Sequence, residues 1–205
     1  HDDQLGDGDD ALDRHGDRRR RVDHGQLEPL LAQHFKIGGE PGDGVLTATP
    51  VYPPFLSAPA NTGRVLQRCE LVLRDGRWQW DWEALERAAD ARSRMLLLCS
   101  PHNPVGRVFD TDELCRLADF AERRDLLICS DEIHCGLVLD GERPHRPIAA
   151  LDQATARRTI TLIAPSKTWN IPALYCAFAV IPDAVLRRRY RHAMRGLIPH
   201  ANVLG

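Results

Sequence analysis

The sequence predicts an α/β protein, three-layered, with a mostly parallel sheet, and three observations lead there. Met95 to Cys99 and Leu126 to Cys129 are continuous apolar runs, as expected of strands covered on both faces. Thr159 to Ile163 alternates β-branched and apolar residues, which also reads as a buried strand. Between these runs lie stretches with apolar residues at helical spacing, so strand and helix alternate, the pattern of a sheet built from parallel crossovers.

Taken in order, residues 1 to about 25 hold eight Asp, five Arg, three His and four Gly with neither a helical nor a strand period. They read as a disordered tail, and residues 1–39 together as an atypical segment. Residues 26–39 carry only a weak helical spacing at Leu27, Leu30, Leu31 and Phe35. From Glu40 the text becomes regular. Pro41 to Gly44 form a turn, and Val45 to Tyr52 a strand that Pro53 and Pro54 end. Arg64 to Leu73 is extended, and Asp75-Gly76 is a hairpin signal before the alternating Trp78 and Trp80. Asp81 caps a helix with apolar positions Leu85, Ala88 and Ala89. Asp110 and Glu113 have the spacing of a capping box, ahead of a stripe of Leu114, Leu117, Ala118 and Ala121. Ala177 to Ile181 is a further short strand, and Asp183 to Arg195 a basic helix.

The composition narrows the function. A hydrophobic share of 43% and a net charge of −2 are those of a soluble globular protein, with no electrostatic pull towards nucleic acid or a membrane surface. No apolar run is long enough to span a bilayer, and the first ten residues lack the basic and apolar regions of a signal peptide. The six cysteines form no CxxC pair, and Cys99 and Cys129 lie inside strand-like runs, so free buried thiols in the cytoplasm are expected. His134, Cys135 and His145 match no common zinc spacing.

The chemistry gathers at strand ends. Ligands of open α/β sheets sit at the carboxyl ends of the strands. Asn103 follows one predicted strand, Asp131 closes the next, and Lys167 follows the third. The 27 basic residues include only two lysines, Lys36 and Lys167. A lysine after a buried strand suits a nucleophile towards carbonyl groups, although a plain surface lysine fits as well. Asn103 can equally form a turn, and Asp131 can cap the next element. Together they offer a hydrogen-bond donor, a negative charge and an amine, a set suited to an aromatic cofactor with an aldehyde, a phenolic oxygen and a basic ring nitrogen.

Four strings carry a more specific signal: PVYPPF at 50–55, LCSPHNPVGR at 98–107, CSDEIHCGLVLDGERPHRPIA at 129–149 and IAPSKTWNIPAL at 163–174. They resemble fold-type I pyridoxal-phosphate enzymes, and within these the cysteine-S-conjugate (cystathionine) β-lyase branch related to class I/II aminotransferases. The intervals of 28 residues from Asn103 to Asp131 and 36 from Asp131 to Lys167 fit the same superfamily. The resemblance implies pyridoxal 5'-phosphate as cofactor, a small amino-acid substrate, a homodimer, and a residue set for this sequence. Lys167 would bond the cofactor aldehyde and then act as base at the substrate's Cα. Asp131 would pair with the pyridine nitrogen, and Asn103 with the phenolic oxygen. Tyr52 would stack on the ring, with a core position as its alternative. Ser166 would donate to the phosphate. His134 stands where aminotransferase relatives commonly have tyrosine, which favours the lyase, although it can also be a cap.

The sequence departs from that family at Ala173 and Tyr175, where glycines are usual, and residues 1–39 hold no glycine-containing phosphate loop. The resemblance also implies a chain of nearly twice this length, so residues 40–205 are expected to be a partial cofactor-binding large domain without the small C-terminal domain. Residues 1 to about 39 are expected not to be native family sequence. Three functions follow: a carbon–sulfur β-lyase, an aminotransferase on the same scaffold, or a catalytically silent fragment or interaction protein.

Overall fold

A computed structural model describes residues 37–195 apart from 140, 142, 143 and 175. Seven strands form one sheet in the order β3-β2-β1-β4-β5-β6-β7. They are β1 (Gly44–Thr49), β2 (Val65–Arg74), β3 (Arg77–Trp80), β4 (Ser93–Cys99), β5 (Leu127–Asp131), β6 (Thr159–Ile163) and β7 (Phe178–Val180). The central strands β2, β1, β4, β5 and β6 run parallel, while β3 and β7 are antiparallel at the two edges. The helices are α1 (Pro54–Asn61), α2 (Trp82–Ala88), α3 (Thr111–Arg123), α4 (Gln153–Arg157), the single turn α5 (Pro165–Thr168) and α6 (Ala184–Ala193).

Side-chain alternation along each strand splits the core in two. Val45, Met95, Leu97, Cys129 and Ile160 face one side, covered by Phe55 and Ala58 of α1 and by Leu186 and Tyr190 of α6. Leu46, Leu96, Leu98 and Ile128 face the other, covered by Leu85 of α2 and by Leu114, Leu117 and Phe120 of α3. This makes the three layers. A fully buried Phe or Leu in either cluster contributes about 1.5–3 kcal/mol of apolar transfer.

Local signals explain the boundaries. Asp81 accepts from the Ala84 N–H, and the Asp110–Glu113 capping box is complete in both directions. Asp75 and Gly76 both take positive φ, which lets the β2–β3 hairpin close in two residues. Asp183 caps α6 through the Leu186 N–H.

Two elements differ from the expectation. The first strand ends at Thr49, not Tyr52, and Pro54 opens a helix where the paired prolines read as a plain stop. Proline suits the first turn of a helix, whose N–H groups have no intrahelical partner, so Pro53-Pro54 starts α1 as well as ending β1. Ile37, within the segment read as atypical, is buried in the α1/α6 side of the core, and its carbonyl accepts from the Arg189 guanidinium at 2.9 Å. Residues 1–36, with the charge-rich tail, lie outside the described residues.

Candidate cofactor site at the carboxyl edge

The strand order places the reversal of winding between β1 and β4: the chain leaves β1 for β2 on one side and returns to β4 on the other. Open α/β sheets hold ligands outside the strand ends at such a switch. The segments leaving β1, β4, β5 and β6 therefore share one rim, and hydrogen bonds tie them together. The Tyr52 N–H donates to the Asn103 carbonyl at 3.1 Å, the Ser100 N–H to the Asp131 carbonyl at 3.0 Å, and the Glu132 N–H to the Leu162 carbonyl at 2.8 Å.

Asp131 is the last residue of β5 and is 2% exposed. Burial pushes its carboxyl up to about 7, reinforced by the charge of Glu132 and opposed by the Ile133 N–H and by Lys167. The Ile133 N–H donates to Asp131 Oδ1 at 3.1 Å. Lys167 sits in α5, four residues past the end of β6, and is exposed, where a partly dry pocket is the setting expected of a nucleophilic amine. Its charge acts on both Asp131 and His134, so these three groups lie within electrostatic reach of one another. His134 is half-buried. Burial lowers its pKa first and Lys167 second, while a hydrogen bond to the Pro101 carbonyl works the other way. Asn103, on the loop after β4, and Ser166, in α5 beside Lys167, are half-buried, and Tyr52 packs against the α1/α6 side of the core. Of the two departures noted in the sequence, Ala173 is exposed in a 3-10 turn, and Tyr175 lies outside the described residues.

Three features of this rim escape a reading by strand ends alone. His102 is buried and bridges the loops after β1 and β4, with Nε2 2.8 Å from the Pro50 carbonyl and Nδ1 3.1 Å from that of Cys99. Its only sequence signal is a histidine set among turn residues. Glu132 is also buried, bonded to Ser130 and His145. The third is Gly136. A Cβ there would lie 2.7 Å from Thr168 Cγ2 and 3.1 Å from Thr168 Cβ, next to Lys167. The turn after Asp131 can thus approach the lysine turn only without a side chain. Gly136→Ala is expected to destabilise the chain by about 1–3 kcal/mol, because the β-branched Thr168 has little freedom to yield. Gly141→Ala, where an added Cβ meets nothing within 4 Å, is the control in the same urea titration and stays within about 1 kcal/mol.

A three-layer, mostly parallel sheet with Asn103, Asp131 and Lys167 on one carboxyl rim defines the class: an α/β protein with a candidate cofactor site at its topological switch. The family model for aminotransferase class I and II matches residues 29–203, and the chain belongs to that family. That match begins upstream of Glu40. Among relatives, cystathionine beta-lyase PatB of Bacillus subtilis is 36% identical over 157 residues, 76% of this chain and 40% of that protein. The probable N-succinyldiaminopimelate aminotransferase DapC of Mycobacterium tuberculosis is 39% identical over 148 residues, 72% of this chain and 36% of that protein. Cystalysin from Treponema denticola, whose crystal structure contains pyridoxal 5'-phosphate, superposes with a TM-score of 0.82 at 37% identity, covering 87% of this chain and 45% of its own. The chain thus spans less than half the length of the curated relatives it matches. No helix among the described residues is long and apolar enough to cross a membrane.

Proposed function

We propose that this chain carries the cofactor-binding part of a pyridoxal-phosphate-dependent carbon–sulfur β-lyase. The substrates are cystathionine or related cysteine S-conjugates, and the products are a thiol, pyruvate and ammonia. One observation carries the reading: a fully buried carboxyl, pushed up to about 7, ends a central strand within reach of Lys167. Burial is what raises it, and a protonated ring nitrogen set against it would supply a facing positive charge and draw it back to the carboxylate; strongly perturbed groups in clefts also cluster at functional sites.

Pyridoxal phosphate, when bound, supplies an aldehyde that takes up an amine and a ring that draws electrons from the neighbouring carbon. The residues of the chain do the rest. Asp131 would hold the proton on the ring nitrogen, Asn103 would donate to the phenolic oxygen, Tyr52 would pack on the ring face and Ser166 would donate to the phosphate. Lys167, at the mouth of β6, would hold the aldehyde and would serve as the base for the Cα proton. His134, with its pKa lowered by burial, is neutral at pH 7 and borders the lysine without competing for its charge.

The similarity to a probable aminotransferase at 39% identity supports a second reading, transamination on the same residues. We further read residues 40–205 as a partial large domain and the whole protein as a cytoplasmic homodimer. The exposed Trp169, Phe178 and Val180, on or beside the β6–β7 edge, suit a surface that further protein covers.

The test is to load the chain with pyridoxal phosphate and supply cystathionine with and without a keto-acid acceptor. Pyruvate and ammonia without an acceptor support the lyase. Turnover that requires the acceptor supports the aminotransferase. No visible absorbance change on adding cofactor overturns both for this chain.

A further inference from the structure

Asp131 and Glu132 are consecutive buried carboxyls, 2% and 1% exposed, and they lie on opposite faces of the sheet. Alternation puts Asp131 with Cys99, Cys129 and Leu162 on the side covered by α1 and α6. Glu132 points to the other side, where both of its oxygens are occupied. Oε1 accepts from Ser130 Oγ at 2.8 Å, and Oε2 lies 2.8 Å from His145 Nε2. The carboxyl and the ring nitrogen stand at hydrogen-bonding distance and share one hydrogen between them. His145 Nδ1 is buried with no partner among the described residues, where the ring's hydrogen bond is the one to Glu132.

The backbone of Glu132 is fixed at both ends as well. Its N–H donates to the Leu162 carbonyl at 2.8 Å, and its carbonyl accepts from the Cys135 N–H at 2.9 Å. The second bond starts the turn that brings His134 to Pro101 and Gly136 to Thr168. Glu132 is therefore the joint between the strand end bearing Asp131 and the turn packed on the lysine turn.

We propose that Glu132, clamped by Ser130 and His145, is the positioning residue that holds the Asp131 carboxyl in place and sets a second negative charge behind it. None of its atoms needs to touch substrate or cofactor. The negative charge of Glu132 raises the hold of Asp131 on its proton. Among the described residues, the other titratable groups that act on Asp131 or are acted on by it are Lys167, which works in the opposite sense, and the Cys99 and Cys129 thiols, which burial keeps protonated. The inference matters for a ring nitrogen only if the cofactor reading holds, but its geometry stands without it.

The test uses the cofactor-free full chain, so that failure to bind cofactor cannot be mistaken for failure of the clamp. Carbon-13 carboxyl NMR follows the Asp131 titration, and hydrogen exchange of the Ile133 amide reports the Asp131 Oδ1 contact. In Glu132→Gln the neighbouring negative charge is gone, and the Asp131 midpoint is expected to move down from about 7. In His145→Ala the Ile133 amide is expected to exchange about tenfold faster, the equivalent of one weakened hydrogen bond. His145→Gln, which returns an N–H to Glu132, restores the slow exchange, a rescue that general loss of packing would not give. An unchanged Asp131 midpoint in Glu132→Gln, or unchanged Ile133 exchange in His145→Ala, overturns the proposal. If Glu132→Gln does not fold, the His145 pair decides alone.

Discussion

Asp131→Asn is expected to make the cofactor-free chain more stable above neutral pH while removing most of its cofactor-dependent turnover. The two effects share one cause. The folded-state carboxyl titrates near 7, against an ordinary value of 3.8, chiefly because it is buried. The folded chain therefore holds this proton more tightly than the unfolded chain. The stability contribution is fully present below pH 3.8, declines as pH rises through 7, and levels off above it. At about 1.4 kcal/mol per pH unit, the span amounts to a few kcal/mol, on the order of 4. Asparagine carries no such proton, so the variant's urea midpoint should lack this slope between pH 4 and 7 and exceed the parent's at pH 8. With cofactor, the loss of a charge-assisted hydrogen bond of roughly 1.5–3 kcal/mol slows turnover by about 10- to 150-fold. Identical pH slopes in the two proteins would remove Asp131 as a buried titrating acid. Equal turnover would remove it from the mechanism.

Lys167→Ala is expected to abolish every borohydride-reducible cofactor adduct while leaving the fold intact. The side chain is exposed at a single helical turn, so its truncation should change stability by no more than about 0.5 kcal/mol. Peptide mass spectrometry after reduction places the adduct in the parent chain. If it persists in the variant at Lys36, the only other lysine, or at the N-terminus, Lys167 is not the cofactor's partner. The same variant carries an electrostatic signature independent of cofactor. Lys167 lowers the pKa of both Asp131 and His134, so its removal should raise both midpoints, which NMR titration of the cofactor-free chain would read.

The sequence by itself determined the layered α/β class and most of the elements, because those signals are local. A continuous apolar run such as Met95 to Cys99 has to be covered on both faces, and a capping box such as Asp110 with Glu113 works within one turn. The positions of Asn103, Asp131 and Lys167 were readable for a related reason: in a parallel sheet, a residue just past a strand lies on the ligand-bearing edge whatever the neighbouring strands are. The start of α1 was not readable, since Pro53-Pro54 serves a strand end and a helix start equally well. Nor were the contacts that shape the rim. Which strands adjoin β5, that Glu132 meets His145 thirteen residues on, that His102 reaches back to Pro50, and that Gly136 must be bare for Thr168 to fit are facts of spatial adjacency. Burial follows from the same adjacency, and with it the proton affinity of Asp131. The tertiary structure alone decided those, because desolvation depends on what every other segment places around a group and not on the residues beside it in the chain.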